Sequence, residues 1–262
     1  LEHPPAVIPI DVGRQLFVDD FLIERTDMTR TFHQAEKYAG NPVFVPETEE
    51  EITRRNCVYL GQGGVFFDPE EQLFKMFYAA GMRGPLAMAT SPDLVNWTRP
   101  DLSERGNVVI DWIVDDNAVW LDFREGHANE RVKYMECHRG SHPHAGSHFL
   151  YTSADGLQWS EGISAGRSRG DYSSLFYNPF RKKWVFSMRS GDAMGRATYY
   201  CESGEFLEAD WDRDAVYWQG ADRLDEPDPE GSYHPAAHAH PVQLYSRPAV
   251  AYESIMIGMH QI

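Results

Sequence analysis

The chain is short of cysteine, short of positive charge and without a long apolar run, and each shortage removes a class of protein. Its three cysteines, Cys57, Cys137 and Cys201, are too few and too odd in number for a disulfide framework. None stands in a Cys-x-x-Cys pair of the kind that seats structural zinc. Forty acidic against 24 basic residues leave a formal net charge of -16. A field of that sign repels phosphate backbones and anionic lipid headgroups, so neither nucleic acid nor a membrane surface is an expected partner. No apolar stretch reaches the roughly 18 residues that a membrane-spanning helix needs. The opening Leu1-Glu2-His3-Pro4-Pro5 is not a signal peptide, and with Leu in first place an earlier leader stays open. Localisation is left open between secreted, periplasmic and cytoplasmic.

What the 262 residues hold in quantity is turn formers and bulky sheet residues. There are 16 Pro and 21 Gly beside 7 Trp, 13 Tyr and 14 Phe, and 42% of the chain is hydrophobic. That mixture predicts an all-β protein with a real core and few long helices.

Three stretches repeat. The first contains Gly64-Val65-Phe66-Phe67-Asp68-Pro69, Leu73-Phe74-Lys75-Met76-Phe77-Tyr78 and Ala89-Thr90-Ser91-Pro92-Asp93-Leu94-Val95-Asn96-Trp97. The second contains Ala118-Val119-Trp120-Leu121-Asp122, Arg131-Val132-Lys133-Tyr134-Met135-Glu136 and Tyr151-Thr152-Ser153-Ala154-Asp155-Gly156-Leu157-Gln158-Trp159. A weaker third runs from Ser174-Leu175-Phe176-Tyr177-Asn178-Pro179 through Lys183-Trp184-Val185-Phe186 to Trp211. Asp68, Asp122 and Asn178 follow one another at 54 and 56 residues. Each copy reads as strand, Asp-Pro or equivalent turn, aromatic strand, third strand, tight turn and a short Trp-bearing fourth strand. In the last turn the Asp accepts turn amides, Gly156 supplies positive φ, and Trp159 wedges between neighbouring sheets.

Such a unit is one blade of a β-propeller, which leaves few free strand edges. The expected organisation is an N-terminal segment, 1–50, packing on a partial propeller, 51–262. Blades are expected near 56–103, 113–163 and 171–215, with a fourth begun as a lone strand at 249–259. Three blades and a strand do not close a ring, so the chain is expected to be part of a longer propeller. The run Leu16-Phe17-Val18-Asp19-Asp20-Phe21-Leu22-Ile23 is a candidate strand packing against it.

The Ser-x-Asp-Gly-x-x-Trp turn at 153–159, the Asn41-Pro42-Val43-Phe44 lead-in and the Phe-Lys-Met-Phe-Tyr strand carry a resemblance. They resemble the five-bladed β-propeller glycoside hydrolases, the superfamily of the arabinanase/xylosidase and invertase/levanase groups. The likeness is nearest to bacterial members that begin with a Leu-Phe-Val-Asp-Asp segment, and it covers most of the chain from Leu16 on. Sialidase-type Asp boxes carry one more residue between Asp and Gly. The resemblance implies a carbohydrate substrate, no cofactor, and catalytic carboxylates on the innermost strands of different blades.

Glycoside hydrolysis needs an acid to protonate the leaving oxygen and a carboxylate to activate water or attack the anomeric carbon. Counting back seven from Asp122 and Asn178 reaches Asp115 and Asp171, and the same step from Asp68 reaches Gly61. Glu253, flanked by apolar residues on the presumed inner strand of the fourth unit, is the expected general acid. Asp115 and Asp171 are the expected base or nucleophile and orienting partner, in either order, and the three are expected to converge at one end of the channel. Asp116 is the rival of Asp115, because a slip of one residue reverses the side chain's face. In the first blade, where the resembled enzymes usually place an Asp, Gly61-Gln62-Gly63-Gly64 stands instead, and Asp19 or Asp20 is a candidate substitute. Glu136-Cys137 is similar to the acid-bearing Glu-Cys pair of the invertase group but falls on a second strand, and is set aside.

Arg189 and Arg196 flank the Ser190-Gly191-Asp192 turn and are candidate holders of sugar hydroxyls, a carboxylate or a phosphate. Trp112 is a candidate stacking face. His138, His142, His144 and His148 crowd one loop and His234, His238 and His240 another, but their spacing matches no ligand pattern and no metal is expected. Three functions fit: a glycoside hydrolase, a related glycoside phosphorylase, and a non-catalytic carbohydrate-binding or scaffold propeller.

Overall fold

The structure, a computed structural model, describes residues 6–8, 10, 14–61, 64–112, 117–137, 145–167, 170–191, 195–222, 224–225, 242–245, 247–253 and 255–259. The fold is all-β, built of antiparallel sheets. The first sheet holds β1 (Val58–Tyr59), β2 (Val65–Asp68), β3 (Leu73–Ala80), β4 (Leu86–Ser91) and β5 (Val108–Ile110). Both β1 and β2 pair with β3, so they form one inner strand broken in the middle, and the sheet has four strand positions. The second is β6 (Asn117–Leu121), β7 (Val132–Cys137), β8 (Ser147–Ser153) and β9 (Ile163–Arg167). The third is β10 (Ser174–Asn178), β11 (Lys183–Gly191), β12 (Arg196–Ser203) and β13 (Val216–Gly220). A hairpin of β14 (Ala249–Tyr252) and β15 (Ile255–Gly258) follows. The inner strands β2, β6, β10 and β14 neighbour one another in that order, as blades around a common axis do.

The strands form where they do because both faces of each blade are covered. All residues of β7 are buried, and β3 is buried from Met76 onward. One core lies between the first and second blades, around Phe77, Leu86, Val119, Tyr134 and Tyr151. Another lies between the second and third, around Met135, Leu150, Trp184, Phe186 and Trp211. Strands covered on both sides need no polar alternation, and their sequences show little.

Two turns recur and hold the blades' ends. After the inner strand, Asp68 accepts from the amides of Glu70 and Glu71, and Asn178 from those of Phe180 and Arg181. After the third strand, Asp93 accepts from Val95 and Asn96, and Asp155 from Leu157 and Gln158. Gly156 takes φ 80 there, as its position demands; Leu94 takes φ 65 at the matching place. Trp159 wedges as expected, its indole donating across to the carbonyl of Val109 at 3.3 Å.

Three expectations need correction. The Trp-bearing segments are not the fourth strands: the bridges Thr90–Thr98 and Ser153–Trp159 are single, Trp211 begins a short helix, and the outer strands β5, β9 and β13 come later. Aromatic bulk there serves packing between blades rather than pairing. The fourth unit is a hairpin, not a lone strand. The run 16–23 is turn and irregular chain with Phe17, Val18 and Phe21 exposed, because Asp19 caps its own turn onto the Phe21 amide and Asp20 pairs with Arg30.

The helices are short: α1 (Glu49–Thr53) and α2 (Trp211–Asp214). In α1, Glu51 is fully buried, closes a capping box with Thr48, and meets Arg99 at 2.9 Å and the Tyr78 hydroxyl at 2.7 Å. Burial opposes its ionisation, but the bonds from Arg99, the Glu47 and Thr48 amides and Tyr78 outweigh that and hold the carboxyl below its ordinary 4.5. A lowered carboxyl stabilises the fold above its unfolded pKa and loses that contribution as pH falls through the folded one. Stability measured by urea titration should therefore decline below about pH 4.5, and Glu51→Gln, weaker at neutral pH, should decline less steeply.

Candidate functional site

The inner strands run in one direction, so residues that precede them gather at one end of the axis and the turns that follow them gather at the other. Asp171 sits at the first of these ends, before β10. Its carboxylate forms an ion pair with the Arg189 guanidinium, whose Nε also donates to the Asp171 carbonyl at 2.9 Å. Gly170 makes this grip possible. It takes φ 137, and a Cβ there would lie 2.9 Å from Arg189 Nη2 and 3.0 Å from the Arg189 carbonyl oxygen. Tyr172 takes the left-handed φ of 58, a conformation that costs a bulky residue about 1–2 kcal/mol. The hydroxyl of Tyr172 meets that of Tyr59 on β1, so the starts of the first and third inner strands touch.

The register of the third blade adds the second arginine. Arg189 pairs with Thr198 and Gly191 with Arg196, so both arginines lie on one face of the β11–β12 ladder. Tyr245, from the segment leading to β14, lies against that face. The Cζ atoms of Arg189 and Arg196 are 5.2 and 4.9 Å from its ring centroid, and the Tyr172 ring is 4.8 Å away. Burial first, and then the Asp171 charge, push the Tyr245 phenol up. Gln243 accepts the Arg196 amide at 2.6 Å and fills the space beside Gly195.

Of the expected residues, Asp171, Arg189 and Arg196 thus come together. Asp115 and Asp116 lie outside the described residues, as do His138, His142, His144, His234, His238 and His240. Glu253 is not on a strand. Tyr252 pairs with Ile255, leaving Glu253 in the hairpin turn at φ 51, where it accepts from the Arg14 amide at 3.2 Å. That turn follows the inner strand β14, whereas Asp171 precedes β10. Hydrogen bonds from Ser174 and Ser187 to the Arg247 carbonyl tie the beginnings of the two strands together, so Glu253 and Asp171 fall at opposite ends. Convergence of Glu253 with Asp171 is corrected accordingly. Its apolar neighbours belong to two strands, β14 and β15, with Glu253 in the turn between them.

Nor does Trp112 present an open indole. Its Nε1 donates to both oxygens of Glu136, at 3.0 and 2.8 Å, and its ring is tilted against Tyr151. His148 is buried on β8, its ring 4.6 Å from that of Trp211, rather than in a loop. Among the described residues no group of three or more His, Cys, Asp or Glu gathers as a metal site. Asp19 and Asp20 are engaged in their own exposed turn, and the interrupted first inner strand offers Tyr59 instead of an acid.

Sequence reasoning missed the surroundings of Glu136. It lies on the second strand, as expected, but is 2% exposed and accepts from Tyr134 at 2.7 Å and Tyr151 at 3.1 Å besides Trp112. Burial first, and then the Glu136 charge, push the Tyr151 phenol up. Its signals were an acid within an otherwise apolar strand end and the Glu136-Cys137 pair itself. Tyr59, Tyr172 and Tyr245 had no signal, because their meeting depends on how blades pack.

No family model matches the chain, and no curated protein matches it. Among solved structures, the chain is similar to an N-acetylgalactosamine deacetylase from F. plautii, with 14% identity over 71% of this chain and 57% of that one, at a TM-score of 0.48. It is similar to a fructofuranosidase from Schwanniomyces occidentalis, with 15% identity over 59% and 32%, at 0.43. It is similar also to an endo-1,4-beta-xylanase from Bacteroides thetaiotaomicron, with 12% identity over 68% and 59%, at 0.43. The chain spans about one third to three fifths of the length of these proteins. Similarity this distant carries no argument about the chemistry, which rests on the residues described above.

Glu136→Ala should remove the acceptor of three buried or half-buried donors and cost about 2–4 kcal/mol in chemical denaturation. Glu136→Gln, which keeps one acceptor oxygen, should cost less than half as much.

Proposed function

We propose that the protein is a glycoside hydrolase whose saccharide enters at the end of the axis where Asp171 lies. The observation that carries this reading is the cluster of an arginine-held carboxylate with three tyrosines, contributed by separate blades. Carboxylates act on the glycosidic bond, and aromatic rings offer faces to sugars. In this reading Asp171 is base, nucleophile or orienting partner, and Arg189 fixes where its oxygens point. Asp115 or Asp116, seven and six residues before Asp122, supplies the second carboxylate. The strained backbone at Tyr172 supports a site here, because such strain persists where surrounding structure enforces it.

A second reading is phosphorolysis. It is favoured by one feature, the two guanidiniums against a single tyrosine ring, since a phosphorylase needs a cationic pocket for its co-substrate.

The test uses the full-length protein on a panel of aryl glycosides and oligosaccharides, with and without inorganic phosphate. Asp171→Asn should lower turnover by about a hundredfold or more. Of Asp115→Asn and Asp116→Asn, one should do the same and the other should not. Loss confined to poor leaving groups identifies the acid; equal loss on all identifies the base or nucleophile. Turnover in Asp171→Asn within a factor of two of wild type would sink the assignment. Cleavage only when phosphate is present would select the second reading.

A further inference from the structure

The two arginines differ in what they hold. The Arg189 charge is taken up by Asp171. Arg196 is half-buried, and among the described residues no acid pairs with it; its contacts are the Tyr245 ring under its guanidinium and Gln243 on its amide. Most of the described arginines pair with an acid. Two guanidiniums against one ring repel each other, and among the described residues Asp171 is the one acid paired with either of them. A guanidinium grips an oxyanion with two parallel bonds from its N–H edge.

We propose that this cluster receives an oxyanion, either the carboxylate or sulfate of an acidic sugar or free phosphate, and that Arg196 is the residue that binds it. The inference rests on the reading of the Asp171 end as the saccharide site, and it names the class of ligand taken there. Tyr245 acts as the platform that aims the guanidinium, and Gln243 anchors the strand end from which it extends. The Tyr172 ring lies against Tyr245, 4.8 Å away, where a sugar ring bearing the anion would lie. A guanidinium at a partly exposed position holds an anion through a charge that salt screens, so anion binding should weaken as salt rises.

Isothermal titration calorimetry on the full-length protein at low ionic strength tests this. The probes are D-galacturonate against D-galactose, D-glucuronate against D-glucose, galactose 6-sulfate, and inorganic phosphate. The acidic member of at least one pair should bind about tenfold or more tightly than its neutral partner, the scale of a charge-assisted hydrogen bond. Arg196→Gln should bring that ratio toward one, and Arg196→Lys, which keeps the charge without the fork, should fall between. Circular dichroism of both variants should match wild type.

Phosphate binding that Arg196→Gln abolishes, with no preference among the sugars, sustains the anion site and assigns it to free phosphate. Neutral and acidic sugars bound alike, with a ratio indifferent to Arg196→Gln, overturns the inference and leaves the glycosidase reading intact. Acidic sugar bound through Arg196 but no glycoside cleaved sustains the inference and removes that reading. No binding by any probe overturns the inference.

Discussion

The first two sheets bury apolar residues on both faces, and the third on the face toward the second, so none of them can stand alone in water. The second strands show it most clearly: β7 is buried along its whole length and β11 from Trp184 to Met188. At about 25 cal/mol for each Å² of apolar surface taken from water, leaving one such face open would cost more than a typical domain's net stability. The sheets must therefore stack face to face, and a right-handed twist in each turns the stack around an axis rather than along a line. Everything else in the architecture follows from that stacking. Trp159 and Trp211 fill the gaps between blades, and Asp68, Asn178, Asp93 and Asp155 close the turns so that the next strand starts in register.

The same constraint makes a site possible. Stacking around an axis brings the beginnings of inner strands together, and their residues are the ones that need not pack against a neighbouring blade. Here those residues are Tyr59, Asp171 and Tyr172, with Arg189, Arg196 and Tyr245 standing over them. Their arrangement is held by local devices rather than by the hydrophobic core: the close approach of Gly170 to Arg189, the left-handed Tyr172, and Gln243 against Gly195. Preorganised charge of this kind is what a binding or catalytic site requires, because no energy is then spent on arranging it when ligand arrives.

The acids of the molecule sort by what surrounds them. Glu51 is buried and answered by Arg99, two amides and Tyr78, so it is a structural clamp between α1 and the first blade. Glu136 is buried and accepts from Tyr134, Tyr151 and Trp112, which fixes Trp112 at the entry to the second blade. Asp171 is only partly covered and shares its arginine with an aromatic face.

By itself the sequence determined the all-β class of antiparallel sheets and the turns. Those depend on local chemistry: the Asp or Asn that accepts turn amides, the Gly at positive φ, and runs of aromatic residues too apolar to face water. The spacing of Asp122 and Asn178 also pointed to Asp171 through the equivalence of repeats, and the Ser190-Gly191-Asp192 turn marked Arg189 and Arg196 on either side. Local patterns are silent on distances between blades. Only the tertiary structure decided that Tyr59 meets Tyr172, that both arginines share Tyr245, that Trp112 is held by Glu136, and that Glu253 turns a hairpin at the far end. An acid among apolar neighbours reads alike on a strand or in the tight turn that ends it. Which end of the axis it occupies is set by the strand's direction, and that exists only once the blades have stacked.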